Sequence, residues 1–162
     1  MGSSLLQFFL PDFLPRAVAI GVDSDPDAVE RCRRCGLPGE FHTVAPLPPT
    51  GLPAESVDLA LACTALRTLD PEGQAAWLDE LARLVRPGGY VVASVHGELL
   101  RPFQDPAVRE RLDAEGVSNT AGGGTHQTME YTLREFSRRF EVLEYVAGGV
   151  DDLADLLVMR RP

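Results

Sequence analysis

Asp23 stands directly after a nearly unbroken apolar run, Ala17 to Val22. A carboxylate at the end of such a strand can accept hydrogen bonds from both hydroxyls of a ribose, and Asp23 is placed for that role. The competing role, capping the next helix, already falls to Asp25. In open parallel sheets ligands bind beyond the carboxyl ends of the strands, so the residues ending the other apolar runs come next. These are Ser24, Thr43-Val44, Cys63-Thr64 and His96-Gly97. His96 and His126, the latter within Gly124-Thr-His126-Gln-Thr, are expected near the rim. Either could take a proton from an attacking oxygen or nitrogen, and for each a plain hydrogen-bonding loop role competes. Cys32-Arg-Arg-Cys35 has the spacing of a redox pair, but it falls at the end of a predicted helix, whereas thiolate activation is favoured at a helix N-terminus. It is read as two small helix residues partly facing a core. His42, His96 and His126 stand singly, without metal-ligand spacing.

The elements that must hold these residues announce themselves by punctuation. Asp25-Pro26, Asp70-Pro71 and Asp105-Pro106 each read as a helix start, because the carboxylate satisfies free N–H groups and proline loses nothing there. The first helix carries Ala28, Val29, Cys32 and Cys35 on one face and stops at Gly36; the second carries Trp77, Leu78, Leu81, Leu84 and Val85 on one stripe. Apolar runs predict strands at Ala17 to Val22, buried on both faces, at Phe41 to Val44, Val57 to Cys63 and Tyr90 to Val95. Arg86-Pro87-Gly88-Gly89 is a turn ahead of the last of these. Past a glycine-rich loop at Gly122 to Gly124, Thr132-Leu-Arg-Glu135 reads as a capping box, followed by closing strands at Phe140 to Val146 and Leu153 to Met159. Alternating strands and helices predict an α/β, Rossmann-like fold: a mostly parallel sheet with helices on both faces. Residues 1–162 are read as one domain, with Pro46 to Pro53 a loop inside it.

Composition narrows the function. The chain has 162 residues, 44% hydrophobic and 24% charged, ordinary for a globular protein. A net charge of -9 repels a phosphate backbone, so nucleic acid is not an expected partner. No apolar stretch approaches the ~20 residues of a membrane span, and Leu5 to Leu10 lacks the preceding basic residue of an export signal. Three cysteines, an odd number, fit reduced thiols in a cytoplasmic location. All fifteen basic residues are arginine and Ile20 is the single isoleucine, a bias of GC-rich bacterial coding sequences.

Three segments in order, Gly21-Val-Asp23-Ser-Asp-Pro26, Glu55-Ser-Val-Asp58-Leu and Leu84-Val-Arg-Pro-Gly-Gly89, are separated by Trp77-Leu-Asp-Glu-Leu-Ala-Arg83 where helix is predicted. Two more, Phe140-Glu-Val-Leu-Glu-Tyr and Asp155-Leu-Leu-Val-Met-Arg, follow. From about Leu14 to Pro162 this pattern resembles the class I S-adenosylmethionine-dependent methyltransferases. The resemblance implies S-adenosylmethionine as cofactor and a small-molecule substrate. Asp23 would hold the cofactor ribose, Ser24 would lie near the adenine and Thr43-Val44 at its edge. Cys63-Thr64 would lie beside the methionine part or the substrate.

The chain departs from the family pattern in two places. No acid-x-Gly-x-Gly-x-Gly loop is present, and Leu5, Leu6, Phe9 and Leu10 have the helical spacing of the segment that follows such a loop. The expectation is a chain that begins mid-fold, with the first family strand missing and cofactor binding impaired. The strands ending at Asp23 and Cys63 would then flank an empty slot, to be closed by each other, filled by Ser3 to Leu10, or covered by self-association through unpaired edges. At Leu66-Arg-Thr68-Leu the sequence also lacks the histidine of many relatives, leaving His126, then His96, as general-base candidates. A non-catalytic remnant serving as a binding or regulatory module is the alternative. A nicotinamide oxidoreductase is disfavoured by the Arg86 to Gly89 turn.

Overall fold

The structure, a computed structural model, describes residues 17–35, 39–151 and 153–162. The chain divides into two compact units, Met1–Gly51 and Leu52–Pro162. The expectations for Ser3 to Leu10 and for Gly36 lie outside the described residues.

In the first unit, β1 (Ile20–Asp23) leads through α1 (Pro26–Arg34) to β2 (Glu40–Thr43), and the strands pair in parallel with Ile20 opposite Glu40 and Asp23 opposite Thr43. The Asp25 side chain caps α1, accepting from the Asp27 N–H at 2.9 Å, and Pro26 takes the first turn. Arg31, Arg33 and Arg34 in the last turn suit the negative end of the helix dipole. Val29 and Cys32 pack with Phe41, whereas Cys35 caps the end of α1 and is exposed, so of the two cysteines expected on the core-facing side only Cys32 is there. The expectation of a strand buried on both faces does not hold. β1 is four residues long and Ile20 is 40% exposed, because among the described residues only β2 flanks it.

The second unit runs β3 (Val57–Ala62), α2 (Ala65–Thr68), α3 (Pro71–Leu84), β4 (Val85–Val95), a 3₁₀ segment (Glu98–Phe103), α4 (Pro106–Glu115), β5 (Val117–Thr120), β6 (Gly124–Gln127), α5 (Met129–Phe136), β7 (Glu141–Val150) and β8 (Ala154–Arg160). Its sheet has the order β3-β4-β8-β7; β3 and β4 are parallel, and β8 runs antiparallel to both β4 and β7. Alternation places Ala62, Val91, Ala93, Val95, Leu157 and Met159 on one face, where they pack with Leu78 and Leu81 of α3, Phe136 of α5 and Phe140. Each large apolar side chain buried there contributes about 1.5–3 kcal/mol relative to exposure. Leu59 and Leu61, on the alternate positions of β3, are each 49% exposed. Among the described residues the outer edge of β3 has no strand partner.

Arg86 to Gly89 is a turn carried within β4 as an irregularity. Val57 pairs with Val85 and Leu59 with Tyr90, so the four residues between are looped out. Gly88 takes φ 79°, and its N–H donates to the Arg161 carbonyl at 2.9 Å, tying the turn to the end of the chain. The glycine-rich loop at Gly122 to Gly124 is the turn and first residue of a β5–β6 hairpin, whose two strands, paired from Val117↔Gln127 to Thr120↔Gly124, were not expected from the sequence. The capping box at Thr132 is absent: Thr128 caps α5, accepting from the Tyr131 N–H at 3.2 Å, while Thr132 lies inside the helix and bonds back to the Thr128 carbonyl at 2.9 Å. The hairpin ends at Gln127 and delivers the next threonine, Thr128, to the helix start.

Candidate functional site

In the first unit the carboxyl ends of β1 and β2 lie side by side. Asp23 faces Thr43 in register, and the Val44 N–H donates to the Asp23 carbonyl at 2.9 Å. One carboxylate oxygen of Asp23 accepts from the Asp25 N–H at 2.9 Å, which orients the side chain; the other has no partner among the described residues. Asp23, Ser24 and Thr43 are exposed and Val44 is half-buried. The structure therefore brings four of the sequence candidates to one strand-pair end, with an oriented, accessible carboxylate that fits a ribose diol. Phe41 packs over Gly21, where an added Cβ would sit 2.6 Å from the ring, so the strand pair closes only around glycine.

In the second unit Cys63 and Thr64 directly follow β3, and the Ser94 hydroxyl of neighbouring β4 donates to the Cys63 carbonyl. Burial pushes the Cys63 thiol up from its usual value, with the Arg67 charge opposing, so it stays a neutral thiol. His96 follows β4 directly. His126 is not a rim-loop residue: it lies in β6, 5% exposed, stacked on His96 with ring centroids 4.9 Å apart and planes 23° from parallel. A bridge pairs the two residues, and the Gln127 N–H donates to the His96 carbonyl at 2.9 Å. Burial first, then the His126 and Arg67 charges, depress His96 to about 4, and burial depresses His126. Both imidazoles are thus neutral at pH 7 and able to accept a proton, and both Nδ1 atoms are buried without a partner among the described residues.

Two residues here escaped the sequence reading. Asp155, 2% exposed, pairs opposite Val95 and accepts from the Tyr145 hydroxyl and from the Gly148 N–H at 3.0 Å. Burial, then Asp155, raises the Tyr145 phenol well above its ordinary value. The side chain of Asp155 packs so closely on Gly97 that a Cβ there would overlap its carboxylate. A lone acid in Ala154-Asp-Leu-Leu-Val158 was the available signal, since a charge inside an apolar strand must find partners. Arg67, half-buried in α2, is the other; nothing in its sequence context distinguishes it from the surface arginines.

The model of the family described as "Methyltransferase domain" matches residues 1–93. No curated protein matches the chain. Among solved structures, a Pyrococcus horikoshii protein aligns with a TM-score of 0.71 at 14% identity, covering 97% of this chain and 76% of that one. An S-adenosylmethionine-dependent methyltransferase of Mesorhizobium loti aligns at 0.68 and 20% identity, covering 89% and 80%. The 1,6-didemethyltoxoflavin-N1-methyltransferase of Burkholderia thailandensis, with 1,6-didemethyltoxoflavin and S-adenosylhomocysteine bound, aligns at 0.63 and 18%, covering 93% and 64%. The fold is that of these Rossmann-like proteins. With more than half of its residues matched by the family model, the chain belongs to the methyltransferase-domain family, whose cofactor is S-adenosylmethionine.

Proposed function

We propose that this chain transfers a methyl group from S-adenosylmethionine to a small molecule by in-line displacement, with cofactor affinity lowered by the missing glycine-rich loop. Asp23 carries the reading: a carboxylate oriented by one backbone N–H at the end of a parallel strand, opposite Thr43, with its second oxygen available. It would hold the ribose, with Ser24, Thr43 and Val44 about the adenine. Bound cofactor supplies a methyl on a sulfonium, and the chain's own part is alignment and proton handling. Cys63 and Thr64 serve the methionine part or the acceptor, the neutral thiol acting as a wall rather than a nucleophile. His126, neutral and stacked on His96, takes the acceptor's proton. The edge of β3, without a strand partner among the described residues, favours self-association.

The test is an amide chemical-shift titration of the 162-residue chain with S-adenosylhomocysteine. Saturable shifts at Asp23, Ser24, Thr43 and Val44, with a constant in roughly the millimolar range, about 4 kcal/mol, are expected. A micromolar constant would remove the impairment. No shift at these residues would favour the second reading, a non-catalytic methyltransferase-like module, which the absent acid-x-Gly-x-Gly-x-Gly loop supports. Shifts with a nicotinamide dinucleotide alone would overturn both.

A further inference from the structure

Five described arginines are half-buried, and four of them have a carboxylate partner: Arg83 with Glu80, Arg101 with Asp113, Arg139 with Asp79 and Arg161 with Glu55. Arg67 has no ion pair among the described residues. A partly buried arginine without a carboxylate partner leaves its planar set of N–H donors available for one. Arg67 lies in α2, the helix directly after β3, and Gly124 packs against both its carbonyl and the His96 ring, which puts it beyond the carboxyl ends of β3 and β4, where ligands of this fold bind. The surroundings also hold unused capacity. His126 is almost wholly buried, and among the described residues neither its Nδ1 nor the Nδ1 of His96 stacked against it has a partner. Gly124 of the hairpin packs against the Arg67 carbonyl and the His96 ring, with φ 80°, so the backbone of α2, the end of β4 and β6 are held together around this cluster.

We propose that Arg67 anchors an oxyanion, a carboxylate or phosphate, of the methyl acceptor, with His96 and His126 beside it. A guanidinium presents a planar fork of N–H donors that matches either oxyanion, and the neutral imidazoles add one donor each. The substrate class is therefore an anionic small molecule. The acceptor assignment rests on the methyltransferase reading; the anion site itself does not.

The probes are benzoate, phenyl phosphate and benzamide, titrated into labelled protein while the ring signals of His96 and His126 are followed. Saturable shifts are expected from benzoate or phenyl phosphate and none from the neutral amide, the stronger anion identifying the oxyanion. Arg67→Gln should weaken the anion at least tenfold, with the thermal midpoint unchanged or raised. Should that variant fail to fold, Arg67→Lys, which keeps the charge and loses the fork, should weaken it severalfold. No saturable shift from either anion, equal shifts from benzamide, or affinity unchanged in the substituted protein would overturn the inference. S-adenosylhomocysteine, titrated into the same samples, separates the failures. If Arg67→Gln weakens it as much as the anions, the arginine holds the cofactor's own carboxylate and the acceptor assignment falls. Absent S-adenosylhomocysteine shifts with intact anion binding would instead overturn the methyltransferase reading and leave the oxyanion site standing.

Discussion

His96 binds a proton far less readily when folded than when unfolded, about 4 against 6.5, because burial, His126 and Arg67 all oppose its positive form. The unfolded chain therefore binds more protons between those values, and stability must fall as pH drops from about 6.5 toward 4. The full shift overstates the effect, since the ring is only half-buried; after allowance for solvent screening the loss is about 1–2 kcal/mol. Urea unfolding at pH 7 and pH 5 should show His96→Gln losing less stability than the parent, and equal losses would mean that the ring is solvated. Asp23 makes a complementary prediction at the other strand pair. Asp23→Ala should weaken S-adenosylhomocysteine by about 1.5–3 kcal/mol, the range for hydrogen bonds to a charged group, with the melting temperature little changed. Calorimetry or shift titration giving an unaltered constant would take Asp23 out of the site.

Helix ends and close approaches govern the elements. The Asp70 carboxylate accepts from the Gly73 N–H at 2.7 Å and holds the start of α3, the helix whose Leu78 and Leu81 cover the sheet. Asp70→Ala should cost about 1 kcal/mol in denaturant unfolding; no loss would mean that water replaces the cap without penalty. Gly97 sits against the buried Asp155 carboxylate, which Tyr145 and Gly148 already fix, so a methyl there has nowhere to go. Gly97→Ala should cost about 2–3 kcal/mol by overpacking, and a variant as stable as the parent would show that β8 shifts freely. Most helix starts were legible in the sequence because Asp-Pro punctuation is local chemistry. α5 was misplaced by four residues because Thr128 and Thr132 offer the same side chain, and only the end of β6 decides which one caps.

For the whole molecule, the open edge of β3 and the exposed Leu59 and Leu61 should drive association, slowed but not prevented by the charge of -9. Light scattering should show a concentration-dependent mass for the parent chain and a monomer for Leu59→Lys/Leu61→Lys; a parent that stays monomeric at high micromolar concentration would sink this expectation. The same scale separates what sequence and tertiary structure each decide. The strands outside the β5–β6 hairpin, the helix starts marked by Asp-Pro and the acid at the end of β1 follow from periodicity, capping and the position of Asp23, all properties of a few neighbouring residues. The parallel register that sets Asp23 opposite Thr43, the stacking of His96 on His126 and the lack of an ion pair for Arg67 among the described residues depend on residues distant in sequence. The hairpin that buries His126 carries a glycine-rich turn, which reads locally as a loop, and pairing across it is worth something only once Gly124 and Thr125 dock on Arg67 and Leu69. Local chemistry sets where chain segments begin and end; long-range packing alone decides which side chains lose their water and which must share a charge.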